Sequence, residues 1–145
     1  MRTFKKFSAR LIAAFLTVAS FATAAHAQTF SIRVKVPFAF QTSSGLHLPP
    51  GMYVISDSGM HTMLIRGANT SGFDMIWNQE DASAPASRGK ALFNRYGDTY
   101  YLHSVSMAGS RTRVIFHTSK QERRLQIAGV RQPSTEEVAM VQAGN

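Results

Sequence analysis

Residues 90–105 read KALFNRYGDTYYLHSV, and this stretch decides the fold class. Two arms rich in apolar and aromatic residues flank a short turn at Gly97 and Asp98. Glycine accepts positive φ and aspartate hydrogen-bonds nearby backbone, so the pair suits the tip of a β-hairpin. The stretch therefore predicts strands over residues 91–96 and 99–107, with Gly97 and Asp98 as structural turn residues.

Other segments of the chain show the same β character. Apolar and polar residues alternate over 30–36, which is the period of a strand with one face in water. Pro50 and Gly51 suit the central positions of a type II turn, and residues 51–66 are predicted to form a hairpin. Further short strands are predicted at 38–40, 73–77 and 111–117. Residues 78–89 are polar and small, which predicts a surface loop.

This pattern predicts an all-β fold that is mainly antiparallel. About seven short strands at this spacing are typical of a β-sandwich or a partly open β-barrel. Near the C-terminus, Ser119 and Glu122 have the spacing of a capping box, and Gly129 suits the end of a short surface helix. We expect a single β domain over residues 28–130 and a flexible C-terminal tail over 131–145.

The first 27 residues have the three parts of a secretory signal peptide. A basic start is followed by an uncharged run over 11–25 and by the small-residue site Ala25-His26-Ala27. The alternative is a membrane anchor, but the run is shorter than the ~20 apolar residues that a bilayer core requires. The pattern predicts a signal peptide over 1–27, export to the periplasm or beyond the cell, and no membrane span after its removal.

Composition narrows the classes of function. The formal net charge is +8, but four of the sixteen Lys and Arg lie within residues 1–27, leaving twelve cations against eight acids. These charges are spread along the chain, whereas nucleic-acid binders carry a denser basic stripe, so no nucleic-acid partner is expected. The chain has no cysteine, which excludes thiol catalysis, cysteine zinc sites and iron–sulfur clusters.

No pattern of catalytic or metal-binding residues stands out. The histidines after residue 27 are not spaced to meet on one strand face or one helix: His47, His61, His103 and His117. Most carboxylates fall in predicted turns, and no nucleophile motif has the required context. We therefore expect no enzyme activity, no catalytic residues, no metal site and no cofactor.

The strongest candidates for a ligand or partner surface lie on the predicted hairpin of residues 90–105. Arg95, Tyr101 and His103 share that hairpin, and Trp77 is the remaining candidate. One alternative is a sugar-binding platform built from the aromatic side chains of Phe93, Tyr96, Tyr101 and Trp77. Aromatic residues at strand period more often form cross-strand packing pairs, so packing in the core is the favoured interpretation.

Four segments in a fixed order carry a family resemblance. They are VPFAF at 36–40, LPPGMY at 48–53, LFNRYGDTYYL at 92–102 and SKQERR at 119–124. Together they resemble a family of small secreted β-rich proteins of unknown function from acidobacterial-type bacteria. The resemblance implies a β-rich secreted domain and assigns no activity or site residue. Pro50 stands where the family usually has alanine, and Tyr101 where it usually has phenylalanine.

A second resemblance is shorter. LPPGMYVI at 48–55 is similar to the last hairpin of collagen-binding-B-type sandwiches, which cross-link a lysine to an asparagine. That resemblance implies Lys35 and Asn94 as a candidate pair, although no acid is evidently placed to catalyse the bond.

Taken together, the sequence predicts an exported non-catalytic β domain with a binding or structural role in the cell envelope or outside the cell. The candidate partners are an envelope protein or a small ligand. The first alternative is a small-ligand carrier that uses a barrel interior or an aromatic surface. The second alternative is a hydrolase.

Overall fold

A computed structural model describes residues 30–129 and 132–141, with Met75 and Trp77 described by their backbone alone. The predicted signal peptide at 1–27 therefore lies outside the described residues. The strands are β1 (Ser31–Val36), β2 (Phe40–Gln41), β3 (His47–Leu48), β4 (Gly51–Gly59), β5 (Thr62–Arg66), β6 (Ser71–Asp81), β7 (Lys90–Tyr96), β8 (Thr99–Ser106), β9 (Thr112–Phe116) and β10 (Ser134–Ala139). The helix α1 spans Lys120–Ile127.

The strands form two sheets that do not close into a barrel. The first sheet has four antiparallel strands in the order β1-β4-β5-β6. The second sheet has seven strands and is mixed, because β2 pairs in parallel with β8 while the other pairs are antiparallel. The all-β prediction, with a short helix near the C-terminus, is confirmed. Within the described ranges there are ten strands rather than about seven.

Strand β6 belongs to both sheets. Its first half pairs with β5 and its second half with β9, and the register shifts between Ile76 and Asn78. A bulge bends a strand, which lets one strand turn from one sheet into the next. The prediction of a loop over 78–89 is wrong for 78–81. These polar residues remain in the strand because Glu80 lies opposite Arg113 and Asp81 accepts a 3.1 Å hydrogen bond from the Thr112 hydroxyl.

The core lies between the sheets and is rich in aromatic rings. Every second residue of β1 is buried, as the alternation predicts. Phe40 packs edge-on against both Tyr53 and Phe93, with ring centroids 5.2 Å apart in each pair. Phe38 stacks on Tyr100 at 3.8 Å. Each such aromatic pair adds about 0.5–1.5 kcal/mol beyond the area that it buries.

Strand β10 corrects the prediction of a flexible tail. Residues 134–139 pair with β7 along their whole length, and Lys90 forms a 2.8 Å ion pair with Glu137 across the two strands. Val138 turns inward and joins the core. Beyond β10, Met140 forms an isolated bridge with Val34 of β1. A strand with one buried apolar residue has too weak a pattern to stand out in the sequence.

The hairpin predicted over residues 90–105 is confirmed as β7 and β8, but the hydrogen bonds of its turn differ from the prediction. Tyr96 pairs with Thr99, and Gly97 has a φ of +64° while Asp98 does not have positive φ, which is the type II′ pattern. The Asp98 side chain is fully exposed and makes no hydrogen bond to the turn within the described residues. The Arg95 Nε instead donates to the Gly97 carbonyl at 2.7 Å.

The hairpin predicted over residues 51–66 is confirmed as β4 and β5, but the turn predicted at Pro50 and Gly51 is not a type II turn. Gly51 lacks the positive φ that a type II turn at Pro50 and Gly51 requires, because Gly51 begins β4 and pairs with Val36. The chain reverses at Met60 and His61, whose φ angles are +51° and +58°. Neither residue is a glycine, so this turn holds two side chains in the left-handed region.

Candidate functional site: a cleft beside helix α1 and a buried carboxylate

Helix α1 begins where the capping motif predicts. The Ser119 hydroxyl accepts a 3.0 Å hydrogen bond from the Glu122 backbone N–H. In a complete capping box, the glutamate side chain would return to the backbone N–H of the capping serine. Here the Glu122 carboxylate makes its contacts elsewhere, because the helix packs against the outer face of the second sheet.

Glu122 is the buried residue of α1, with only 3% of its surface exposed. Its Oε1 atom accepts hydrogen bonds from the Asn94 side-chain amide at 2.8 Å and from the Tyr96 hydroxyl at 3.4 Å. The Gln126 amide donates to the same hydroxyl at 2.9 Å. The cluster joins α1 to β7, so the segments LFNRYGDTYYL and SKQERR meet in space.

Tyr101 completes this polar cluster. It is 1% exposed, and its ring packs edge-on against that of Tyr96 at 5.8 Å. Burial raises the pKa of both phenols above the ordinary value of 10.0, and the nearby Glu122 carboxylate raises each further. The phenols therefore stay protonated at neutral pH. The Tyr101 hydroxyl has no hydrogen-bond partner among the described residues.

An open cleft lies beside this cluster, between α1 and the outer face of the second sheet. We call it the α1 cleft, and its volume is about 550 Å³. It is lined by Asn78, Glu80, His103, Arg113, Ile115, Phe116, His117, Thr118, Arg123 and Gln126. Gln126 connects the cleft to the cluster, because its amide also binds the Tyr96 hydroxyl.

Basic groups outnumber acidic groups in the α1 cleft. Arg113 comes from β9 and Arg123 from α1, and Glu80 is the single carboxylate in the lining. His103 and His117 add two imidazole rings. The Arg123 guanidinium reaches back to the Thr118 carbonyl at 3.4 Å, which holds its side chain along the rim. Such a lining can bind an anion through charge-assisted hydrogen bonds.

The structure separates the residues that the sequence analysis grouped together. His103 lines the α1 cleft, Tyr101 is buried in the polar cluster, and Arg95 lies at the hairpin tip. The Arg95 guanidinium lies 5.4 Å from the centre of the Tyr100 ring. Trp77 lies in β6, and its side chain is not described.

Sequence reasoning missed the arginines of the cleft. In RTRVIFH at 111–117, the alternation places Arg113 and Ile115 on one face and Val114 and Phe116 on the other. That pattern marks Arg113 as facing outward. It does not reveal that α1 folds back so that Arg123 lines the same cleft.

Among the aromatic side chains that the structure describes, those suggested for a sugar-binding platform are not exposed. Phe93, Tyr96 and Tyr101 are all buried, and their rings pack against other rings. This agrees with the favoured interpretation that they serve packing.

Two other kinds of site are not assembled in the described part of the chain. No group of three or more His, Asp or Glu side chains is placed there to hold a metal ion. The candidate pair Lys35 and Asn94 is not brought together for a cross-link. Lys35 is exposed on β1, whereas the Asn94 amide is bound to Glu122 beneath α1.

Comparisons of the chain with protein-family models, curated proteins and solved structures found no match. No helix in residues 30–129 or 132–141 has the length and apolar character needed to cross a bilayer.

Proposed function

We propose that the protein is an exported, non-catalytic binding domain whose α1 cleft takes a small ligand with a carboxylate or phosphate group. The observation that carries the proposal is the lining of the cleft. Two guanidinium groups and two imidazole rings surround a space of about 550 Å³ that contains one carboxylate. A cavity of this volume is within the range of small-molecule sites.

The chemistry of the lining favours an anion that also carries hydroxyl groups. Arginine presents planar pairs of N–H donors that match carboxylate and phosphate oxygens. The side-chain amides of Asn78 and Gln126 can donate to or accept from hydroxyl groups. Ile115 and Phe116 add an apolar contact. An acidic or phosphorylated sugar combines these features.

The burial of Glu122 supports a role without catalysis. The Glu122 carboxylate is buried and already bound to Asn94 and Tyr96, so a substrate could not reach it without displacing α1. The interior between the sheets is occupied by one continuous apolar cluster, which favours a surface site over a carrier that encloses its ligand. The basic start, apolar run and Ala25-His26-Ala27 site of residues 1–27 support export.

Isothermal titration calorimetry of the mature chain tests the proposal. The probes are glucose 6-phosphate and glucuronate, with glucose as the uncharged comparison. We expect the charged probes to bind more tightly than glucose. Replacing Arg113 or Arg123 by glutamine should weaken that binding about tenfold, because each variant loses a charged hydrogen bond.

Matched controls lie next to both arginines. Arg111 and Arg124 are exposed and do not line the cleft, so their glutamine variants should bind like the wild type. Glu80→Gln should strengthen binding severalfold, because it removes the one carboxylate of the lining. Equal affinity for glucose and the charged probes, or equal losses in the cleft and control variants, would contradict the proposal.

A further inference from the structure

The outer face of the first sheet is a second basic surface, and it is separate from the α1 cleft. The inward residues of this sheet are buried in the core, so the alternate residues point outward. Cationic side chains project from β1 and β5, and apolar side chains from β4, β5 and β6. We call this the first-sheet face, and its main members are Arg33, Lys35, Met52, Leu64, Arg66 and Phe73.

The strand register sets these side chains in rows. Lys35 lies opposite Met52, and Leu64 lies opposite Phe73. Val54 lies between Arg33 on one side and Arg66 on the other. Apolar and cationic groups are therefore interleaved across four strands, a width of about 15 Å at normal strand spacing.

In the part of the chain that the structure describes, no carboxylate balances the cations on this face. Asp57 is opposite Met63 and Asp74 is buried, so both belong to the inward-facing positions of the register. The other two acids on these strands, Glu80 and Asp81, lie in the half of β6 that pairs with β9. Within the described residues, Arg33, Lys35 and Arg66 form no ion pair. Phe73 is nevertheless 57% exposed and Met52 is 42% exposed. Large apolar side chains exposed on a charged face are typical of an interaction surface.

We propose that the first-sheet face docks on an anionic lipid surface. Its cations would meet the phosphate groups of the lipids, while Phe73 and Met52 would enter the boundary with the acyl chains. A second copy of the chain fits poorly, because a symmetric contact would place cations against cations. This inference goes beyond the proposed ligand site, and neither depends on the other.

The test is cosedimentation of the mature chain with lipid vesicles at low salt. Vesicles of equimolar phosphatidylglycerol and phosphatidylcholine should bind the protein, and pure phosphatidylcholine vesicles should not. A variant combining Arg33→Gln, Lys35→Gln and Arg66→Gln should lose about a hundredfold in partitioning, since each cation near the surface contributes about fivefold. Phe73→Ser should lose severalfold with no change in charge.

A control variant removes the same charge elsewhere. Arg111→Gln, Lys120→Gln and Arg124→Gln change three exposed cations that lie on neither the first-sheet face nor the α1 cleft. This variant should keep most of the binding. The proposal is overturned if the wild type ignores the anionic vesicles, or if the two triple variants lose equally. Binding to polyglutamate through this face, without binding to vesicles, would assign it to an acidic polypeptide and also overturn the proposal.

Discussion

Tyr96 and Tyr101 each place a phenol hydroxyl in the buried cluster, but the two hydroxyls differ in their hydrogen bonds. The Tyr96 hydroxyl donates to Glu122 and accepts from Gln126, whereas that of Tyr101 has no partner within the described residues. Removing a hydrogen-bonded hydroxyl lowers the stability of the fold. Removing a buried hydroxyl without a partner costs little, because it also removes the desolvation penalty of that group. The two residues therefore form a matched pair for mutation.

We expect Tyr96→Phe to lower the free energy of unfolding by about 1–2 kcal/mol. Tyr101→Phe should change it by less than about 0.5 kcal/mol or raise it. Urea unfolding followed by circular dichroism measures both. A larger loss for Tyr101→Phe than for Tyr96→Phe would contradict the hydrogen-bond assignment in the cluster.

The same phenols predict the response to alkaline pH. Burial raises the pKa of Tyr53, Tyr96 and Tyr101 in the folded state above the value of 10.0 expected for the unfolded chain. Above pH 10, the folded state therefore holds more protons than the unfolded state. The stabilisation should be complete below this pH and decline as pH rises through the folded-state pKa values.

Urea unfolding at about pH 8 and about pH 10.5 checks this effect, and the Tyr96→Phe variant should lose less stability than the wild type between them. An unfolding midpoint that does not fall at the higher pH would show that these phenols titrate normally.

The turn at Met60 and His61 holds two side chains in a backbone conformation that favours glycine. Both residues have positive φ, and Met60 is 93% exposed, so its side chain gains little from packing. Asparagine and glycine are favoured in two-residue turns of this kind. Replacing the pair by Asn-Gly should raise the free energy of unfolding by about 1 kcal/mol.

Thermal unfolding measures this gain, and Met60→Ala serves as the control because it keeps a side chain in the strained conformation. An Asn-Gly variant no more stable than Met60→Ala would mean that the turn carries no strain.

At the scale of the element, α1 is fixed to the sheet by a polar contact. Glu122 is the helix residue buried at that contact, while Ile127 is 81% exposed. Glu122→Ala should lower the free energy of unfolding by about 2–3 kcal/mol, because it leaves the Asn94 amide and the Tyr96 hydroxyl without their acceptor.

Hydrogen exchange gives the local evidence for this prediction. The amides of α1 should exchange faster in Glu122→Ala, while Gln121→Ala on the exposed face should leave exchange nearly unchanged. Unaltered exchange in Glu122→Ala would mean that other contacts hold the helix in place.

The start of α1 could be predicted from the sequence, but its attachment to the sheet could not. The Ser119–Glu122 spacing predicted where α1 begins, because a capping bond lies within one turn of helix. The bond between Glu122 and Asn94 joins residues 28 positions apart, and local spacing carries no information about it. The α1 cleft was missed for the same reason, since Arg113 and Arg123 line one cleft only after α1 has folded back.

Strand β10 was missed for a different reason. Its sequence STEEVA is mostly polar, and its pairing with β7 depends on backbone hydrogen bonds and on the ion pair of Lys90 with Glu137. Backbone pairing leaves no mark on the sequence. The hairpin of β7 and β8 was predictable because its aromatic arms and its glycine turn are local features of the sequence.

At the scale of the whole molecule, β10 covers an edge of the second sheet. Ending the chain after Gly129 would expose the outer edge of β7 and uncover core residues next to Val138. We expect this truncation to cost about 3 kcal/mol or more and to promote self-association through the open edge.

Size-exclusion chromatography with light scattering measures the association, and urea unfolding measures the stability. A chain that ends after Val141 is the control, because it keeps β10 complete. A monomeric Gly129 truncation with wild-type stability would mean that β10 is dispensable for the fold.

We propose that the α1 cleft binds an anionic ligand. Native mass spectrometry of the protein purified from its own cells tests this binding directly. We expect an adduct of a small acidic molecule on the wild type and on the Arg111→Gln/Arg124→Gln control. The Arg113→Gln/Arg123→Gln variant should lack this adduct. A bare protein in every sample, or an adduct that persists in the cleft variant, would contradict the claim.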